Sequence, residues 1–361
     1  MSVFGFSTIV DTKRWDELYQ FLEPIQKSPF FTSGYYRSYT TIEDGDTLCF
    51  WGMQDESNFL FYPFLKKSIN ALGYALDAQY YDISGAYGYN GPLGKVSDPR
   101  FAESYNKQLQ TFLQENAVVS EFVRYCPITE NRKYHNYTQQ LDVLDNVFID
   151  VGKGLDYSWN TGFDRRIRTA VRKGESYGLK TFLYRGSQIK EEYIRVFFDI
   201  YNSTMQRNEA DDFYFFDFDF FHNLALNLQE KLLLLITYYQ DTPISTELIL
   251  LDGQLAFGFL GGTLSEYYQY KANTFQRWEL LKYLDSIGIK KYSMGGGASR
   301  GDGIYNFKMS FAKGCDNPFF IGKKIHNPAV YEQIQQLWKA KHPISAGRNA
   351  HLLQGYRKLD G

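Results

Sequence analysis

Five cations crowd the segment Asp164-Arg-Arg-Ile-Arg-Thr-Ala-Val-Arg-Lys-Gly174. At helical spacing Arg165, Arg166, Arg168, Arg172 and Lys173 fall on one face about 160° wide, with Ile167, Ala170 and Val171 opposite. Such a face suits an anionic ligand, for which Arg165, Arg168 and Arg172 are the candidates. A solvated surface is the plainer use of the same pattern. Further along, Gly295-Gly296-Gly297 would let backbone N–H groups come close to a ligand. No Lys-Ser/Thr follows at P-loop spacing and the pattern is not GxGxxG, and a tight turn after a strand fits it equally well. Glu121 and Arg124 have the odd spacing that sends strand side chains to opposite faces. One of them would line a cleft, the other a structural ion pair.

Other chemistries lack their residues. Cys49, Cys126 and Cys315 are far apart and form no CxxC, so neither a disulfide framework nor a zinc site is expected. His135, His222, His326, His342 and His351 are scattered, none at metal-ligand spacing, so no metal and no bound cofactor is expected. The net charge of -2 argues against a duplex DNA partner. Aromatic residues reach 18%, with 30 Tyr and 30 Phe, which suits either stacking clefts or aromatic-rich cores.

The elements that must position these residues are clearest in the second half. Leu232–Tyr239, Ile244–Leu251 and Gln254–Gly261 read as three strands, the last two joined at Asp252-Gly253, a strong hairpin signal. A helix from about Arg277 to Ile287 carries Leu280, Leu281, Leu284 and Ile287 on one face and stops at Gly288. The strand Lys290–Met294 then enters the triple glycine.

The first half repeats the order more loosely. Thr47–Gly52 and Phe59–Leu65 read as strands, followed by a Gly- and Tyr-rich stretch from Tyr80 to Gly94. A helix from Pro99 to Glu115 then leads to the strand Val118–Arg124. Two copies of one β-β-β-α-β unit are predicted. The 361 residues suit two domains, 1–150 and 151–316, and 317–361 reads as a C-terminal helical segment, helical around Ala329–Ala340, packing back on the first and fraying after His342. Met1 to Asp16 lacks the pattern of a secretory leader. The longest apolar run, Leu232–Ile236, is far short of a membrane span. A soluble, cytoplasmic protein without a transmembrane segment is expected.

Three stretches resemble the Fem-type aminoacyltransferases and their GNAT-fold relatives: Asp82 to Leu93, Arg166 to Gly178 with Tyr201 to Arg207 downstream, and Tyr268 through the triple glycine to Phe307-Lys308. The resemblance implies an α/β fold of two tandem GNAT-like domains with mixed, largely antiparallel sheets. It implies acyl transfer to a nucleotide- or lipid-linked saccharide precursor, from aminoacyl-tRNA or acyl-CoA, in a cleft between the halves. Lys308 matches the family's oxyanion-facing lysine, and Arg207 the arginine that holds acceptor phosphate. Tyr270, or Tyr268 two residues away, matches a substrate-facing tyrosine. The family's long helical-hairpin arm is missing. Where acetyl-CoA enzymes carry a glycine-rich loop, Asn273 to Arg277 has no glycine, which argues against a simple acetyl-CoA donor. Tyr87, Tyr89 and Arg124 are candidates for holding the saccharide. A non-catalytic saccharide-binding module on the same fold would stack sugars on its aromatics and depend on Tyr87 or Tyr89 rather than Lys308.

Overall fold

Apolar alternation sets the strands of the computed structural model, which describes residues 2–360. In the first part of the chain they are β1 (Val3–Thr8), β2 (Asp46–Asp55), β3 (Asn58–Ser68), β4 (Tyr81–Ser84), β5 (Leu93–Val96) and β6 (Val118–Arg124). Then come β7 (Gln139–Asp150), β8 (Lys180–Arg185), β9 (Leu232–Tyr239) and β10 (Thr242–Asp252). The series closes with β11 (Leu255–Thr263), β12 (Lys291–Gly295) and β13 (Asp316–Ile325). The chain forms two compact units, one of Met1–Leu22, Phe30–Val143 and Phe319–Gly361, the other of Glu23–Pro29 and Leu144–Pro318.

In the first unit the strand order is β1-β2-β3-β4-β6-β13, with β5 beside β3. All neighbours are antiparallel except β4 and β6. In the second the order is β8-β9-β10-β11-β12-β7, again antiparallel except for β11 and β12. The two units therefore share one topology. A helix precedes each parallel strand, because a parallel pair requires a crossover rather than a tight turn. These helices are Pro99–Glu115 and Ala272–Ser286. Asp98 caps the first, accepting from the Arg100 N–H, with Pro99 in the first turn.

Each unit has its own core. Phe101, Tyr105, Leu109 and Leu113 pack on Phe50, Leu60 and Tyr62 in the first. Leu280, Leu281 and Leu284 pack with Leu233, Leu235, Ile249, Ile167 and Val171 in the second. Each fully buried large apolar side chain contributes about 1.5–3 kcal/mol. Many of the largest fully buried side chains are tyrosines, so much of the aromatic content fills cores.

The sequence expectation for the C-terminal segment needs two corrections. Its start is strand β13, not helix, and helix begins at Pro328. Nor does the chain fray after His342. Pro343–Asn349 is helical, and Tyr356 is fully buried with Trp338, Ile334, Tyr74 and Val119. The buried Asp82 carboxylate accepts from the Tyr356 hydroxyl at 2.8 Å and from the Arg357 guanidinium at 2.8 Å. That pairing meets the cost of burying the charge.

Candidate active site

The second unit opens where its parallel strands part. β11 pairs with β12 only over Leu255–Phe257, while β11 itself runs on to Thr263. A bulge inserts Phe259 opposite Leu248 and Ile249, which bends β11 further. In the gap lies a cavity of about 540 Å³. Gly258 to Thr263 of β11 form one wall, Met294 of β12 another. Ala272, Asn273, Thr274 and Arg277 come from the first turns of the crossover helix. Every lining residue belongs to the second unit.

That helix starts at Ala272, five residues before the sequence expectation, behind Lys271 in the left-handed region (φ 61°) and with no side-chain cap. The loop before it is therefore Leu264–Lys271 rather than Asn273–Arg277. It too has no glycine.

Lys308 lines the cavity, on the short helix Gly303–Met309. Asp302 caps this helix through the Tyr305 N–H at 2.8 Å and accepts from the Ala298 and Ser299 N–H groups at 2.6 and 2.9 Å. The triple glycine makes this fold-back possible. A Cβ on Gly297 would lie 2.2 Å from the Asp302 carboxylate, and one on Gly296 would lie 2.7 Å from Asn146. The glycines thus serve the turn. Gly296 contributes its carbonyl, which accepts from Lys308 Nζ at 2.6 Å. One of three ammonium donors is used there, leaving two for the cavity. Burial, together with the Arg277 cation, pulls the Lys308 pKa down to about 8, against the opposing pull of Glu247 and Asp302.

Glu247, Arg277 and Tyr292 form a buried group beside this lysine. Glu247 Oε1 accepts from Arg277 at 3.2 Å and from the Tyr292 hydroxyl at 3.3 Å. Burial alone would depress the Arg277 guanidinium, but Glu247 and Tyr292 outweigh it and the pKa is raised. The guanidinium also lies over the rings of Phe307 and Phe311, each 5.7 Å away. Sequence reading missed this group. Its one signal was Glu247, the single charge in the run Ile244–Leu251.

Arg207 also lines the cavity. Its helix, Glu191–Arg207, packs tightly on β11: a Cβ on Gly262 would meet Thr204 Oγ1 at 2.5 Å. Arg207 donates to the Thr263 carbonyl at 3.0 Å and covers the Tyr268 ring at 5.1 Å. Tyr268, not Tyr270, lines the cavity. Tyr270 stacks on Tyr239 at 4.1 Å and edges Tyr177 at 4.9 Å. Of the two positions open in the sequence, the geometry selects Tyr268.

The basic helix spans Arg165–Ser176. Its cations divide. Arg168 donates to the Trp159 and Phe163 carbonyls, at 3.0 and 2.5 Å, and Arg172 lies over the Trp159 ring at 5.5 Å. Both therefore brace the preceding turn rather than front a donor groove. Arg165 instead lines a groove with Arg166, Lys173 and Lys271.

In the first unit Arg124 and Tyr87 come together, while Tyr89 packs elsewhere. Arg124 donates to the Ala86 carbonyl at 2.8 Å and covers the Tyr87 ring at 5.9 Å. Tyr89 packs edge-on against Phe30 and Phe319. Asn131 donates to the Asn90 and Pro92 carbonyls at 2.9 and 3.1 Å, fixing the loop.

Glu121 points away from this group. Fully buried, its carboxylate meets His326 Nε2 at 2.9 Å, the Tyr137 hydroxyl at 3.1 Å and His135 Nε2 at 3.4 Å. Burial pushes its pKa up, but both histidines and Tyr137 outweigh that and hold it below the ordinary value. Burial depresses His135 to about 4 despite the carboxylate. This is the structural pairing expected of one member of the Glu121–Arg124 pair.

Residues 162–309 match the family model of the acetyltransferase (GNAT) domain. No curated protein matches the chain by sequence. Among solved structures it is similar to FemX, with 12% identity and a TM-score of 0.64 over 88% of this chain and 98% of that one. It is also similar to the C-terminal domain of a putative lysylphosphatidylglycerol synthetase from Agrobacterium fabrum. There the identity is 12% and the TM-score 0.53, over 88% and 92% of the two chains. A tandem GNAT protein from the clavulanic acid biosynthesis pathway matches at 6% identity and a TM-score of 0.50, over 91% and 99%. At these identities the likeness is one of fold. The chain has an α/β fold of two tandem GNAT-like halves with mixed, largely antiparallel sheets, as the Fem-type resemblance implied. No helix among the described residues is long and apolar enough to cross a membrane.

Proposed function

We propose that this chain is an acyltransferase that moves an aminoacyl or acyl group onto an amine or hydroxyl of a nucleotide- or lipid-linked saccharide precursor of the cell envelope. One observation carries the reading: the Lys308 ammonium, steadied by the Gly296 carbonyl, faces a cavity that Arg207 also lines. The fold likeness to FemX and to a lysylphosphatidylglycerol synthetase supports the class of acceptor.

The acceptor nitrogen attacks the acyl carbonyl carbon, and the carbonyl electron pair moves onto oxygen. Lys308 donates an N–H to that oxyanion, where a fixed charge in a water-poor site counts most. Collapse re-forms the carbonyl and expels the donor's oxygen or sulfur, which takes up the proton lost by the amine. Arg207, with its planar fork, holds an acceptor phosphate, and Tyr268 supports the guanidinium from below.

For the donor, aminoacyl-tRNA is the first reading and acyl-CoA the second. The second is favoured by two features: the free edge of β11 suits an amide-bearing arm, and the uncapped N-terminus of Ala272–Ser286 suits a pyrophosphate. Incubation of the chain with each donor and with UDP-linked sugars or muropeptides, read by mass spectrometry, tests the proposal. An acylated acceptor made from either donor supports it and identifies the donor. Saccharide binding with no product from any pair would overturn it in favour of a binding module.

A further inference from the structure

The groove on the basic helix has a volume of about 580 Å³ and is lined by Arg165, Arg166, Thr169, Ala170, Lys173 and Lys271. Lys271 also lines the candidate active-site cavity, so groove and cavity share a wall. Arg166 donates to the Asn306 carbonyl at 3.3 Å, which ties the groove to the helix Gly303–Met309. That helix carries Ile304, 53% exposed, and Phe307, 36% exposed, and the cavity wall adds Tyr268 at 47%. One continuous face of the second unit therefore sets four cations beside exposed aliphatic and aromatic side chains.

We propose that this face docks on an anionic phospholipid bilayer, with the cations against headgroup phosphates and Ile304 in the interfacial hydrocarbon. Charge complementarity favours this occupant. The nearby carboxylate of Asp164 is engaged by Arg166 at 3.7 Å and by Lys313 at 3.1 Å, so it does little to repel an anionic surface. An RNA would use the same cations but would gain nothing from a solvent-facing isoleucine. A bilayer uses both features. Docking here brings the mouth of the cavity to the surface where a lipid-linked acceptor sits, and in that respect it rests on the proposed function. The docking itself does not depend on turnover.

The test is flotation of the full chain with vesicles of phosphatidylcholine alone and with vesicles that also contain phosphatidylglycerol, without donor or acceptor. Binding is expected only to the phosphatidylglycerol vesicles and should weaken as salt rises. Arg165→Gln with Lys173→Gln should weaken it roughly 30-fold, from about one charge's worth of attraction lost at each position. Ile304→Ser should weaken it by roughly tenfold, the loss of one inserted aliphatic side chain. These side chains are exposed, so near-UV circular dichroism should be unchanged. No binding to phosphatidylglycerol vesicles would overturn the proposal, as would binding untouched by the double variant. Displacement by duplex RNA with Ile304→Ser silent would reassign the groove to nucleic acid. A failed flotation with intact transfer leaves the acyltransferase reading standing, and intact flotation without transfer does the reverse.

Discussion

The two units share a strand order but bury their ionisable groups differently. In the first, Glu121, His135 and the His326 side chain are closed off from solvent, with the half-buried Tyr137 against them. In the second, Glu247 and Arg277, backed by the buried Tyr292, stand beside Lys308 on the wall of a cavity. The divergence follows from the strands. β4 and β6 stay paired through Ile83 and Glu121, whereas β11 continues six residues past its last pair with β12. One scaffold thus gives a buried polar clamp where β4 stops one residue past its last pair with β6, and a ligand-sized opening where β11 runs on past β12.

The comparison breaks first at Glu121. Glu121→Ala leaves the His326 imidazole and the Tyr137 phenol without their acceptor, and should cost about 2–6 kcal/mol in a urea titration, about 1–3 kcal/mol for each orphaned donor. A loss under 1 kcal/mol would show that the closed cluster holds nothing. Acid should act on the same cluster. His135 is depressed to about 4 from an ordinary 6.5, so the unfolded chain binds more protons between these values. Its contribution is complete above pH 6.5 and declines as pH falls toward 4, by up to about 3 kcal/mol. Glu121, also depressed, adds to the loss below its ordinary value. Stability that is flat from pH 7 to about 4 would contradict the assignment.

In the open cluster the effects are smaller on stability and sharper on chemistry. Glu247→Gln should cost about 1–3 kcal/mol of stability through the partly orphaned Arg277. It should also move the alkaline limb of the transfer rate to lower pH, because Glu247 supports the Lys308 charge. An unmoved limb would separate the two groups. Smallest is Tyr268→Ala, which removes the ring beneath Arg207 and should raise the acceptor KM roughly 2–5-fold, a cation–π contact of about 0.5–1 kcal/mol. Tyr270→Phe should leave KM unchanged. The opposite pattern would restore Tyr270 to the site.

Local pattern carried much of the fold. Leu232–Tyr239, Pro99–Glu115 and Val118–Arg124 are legible to the residue, since apolar runs bounded by turns and caps need no distant partner. β1, β7, β8 and β13 were not read, because their pairing joins segments far apart in the chain. Lys308 and Arg207 rest on resemblance, and their meeting at one cavity is visible only in three dimensions. Glu247, Arg277 and Tyr292 sit on two strands and a helix, so no linear spacing links them. The basic helix shows the opposite failure. Its cations share a face in projection, yet Arg168 and Arg172 turn to the Trp159 turn while Arg165 and Lys173 stay on the groove.

The most direct test is the pH dependence of single-turnover acyl transfer by the native chain and by Lys308→Met, with folding checked in parallel. The native rate should fall as pH rises through about 8, where the ammonium is lost. The variant should be about 10²–10³-fold slower, as for removal of one oxyanion donor, and should lack that limb. A folded Lys308→Met protein that transfers at the native rate with the native pH profile would contradict the account.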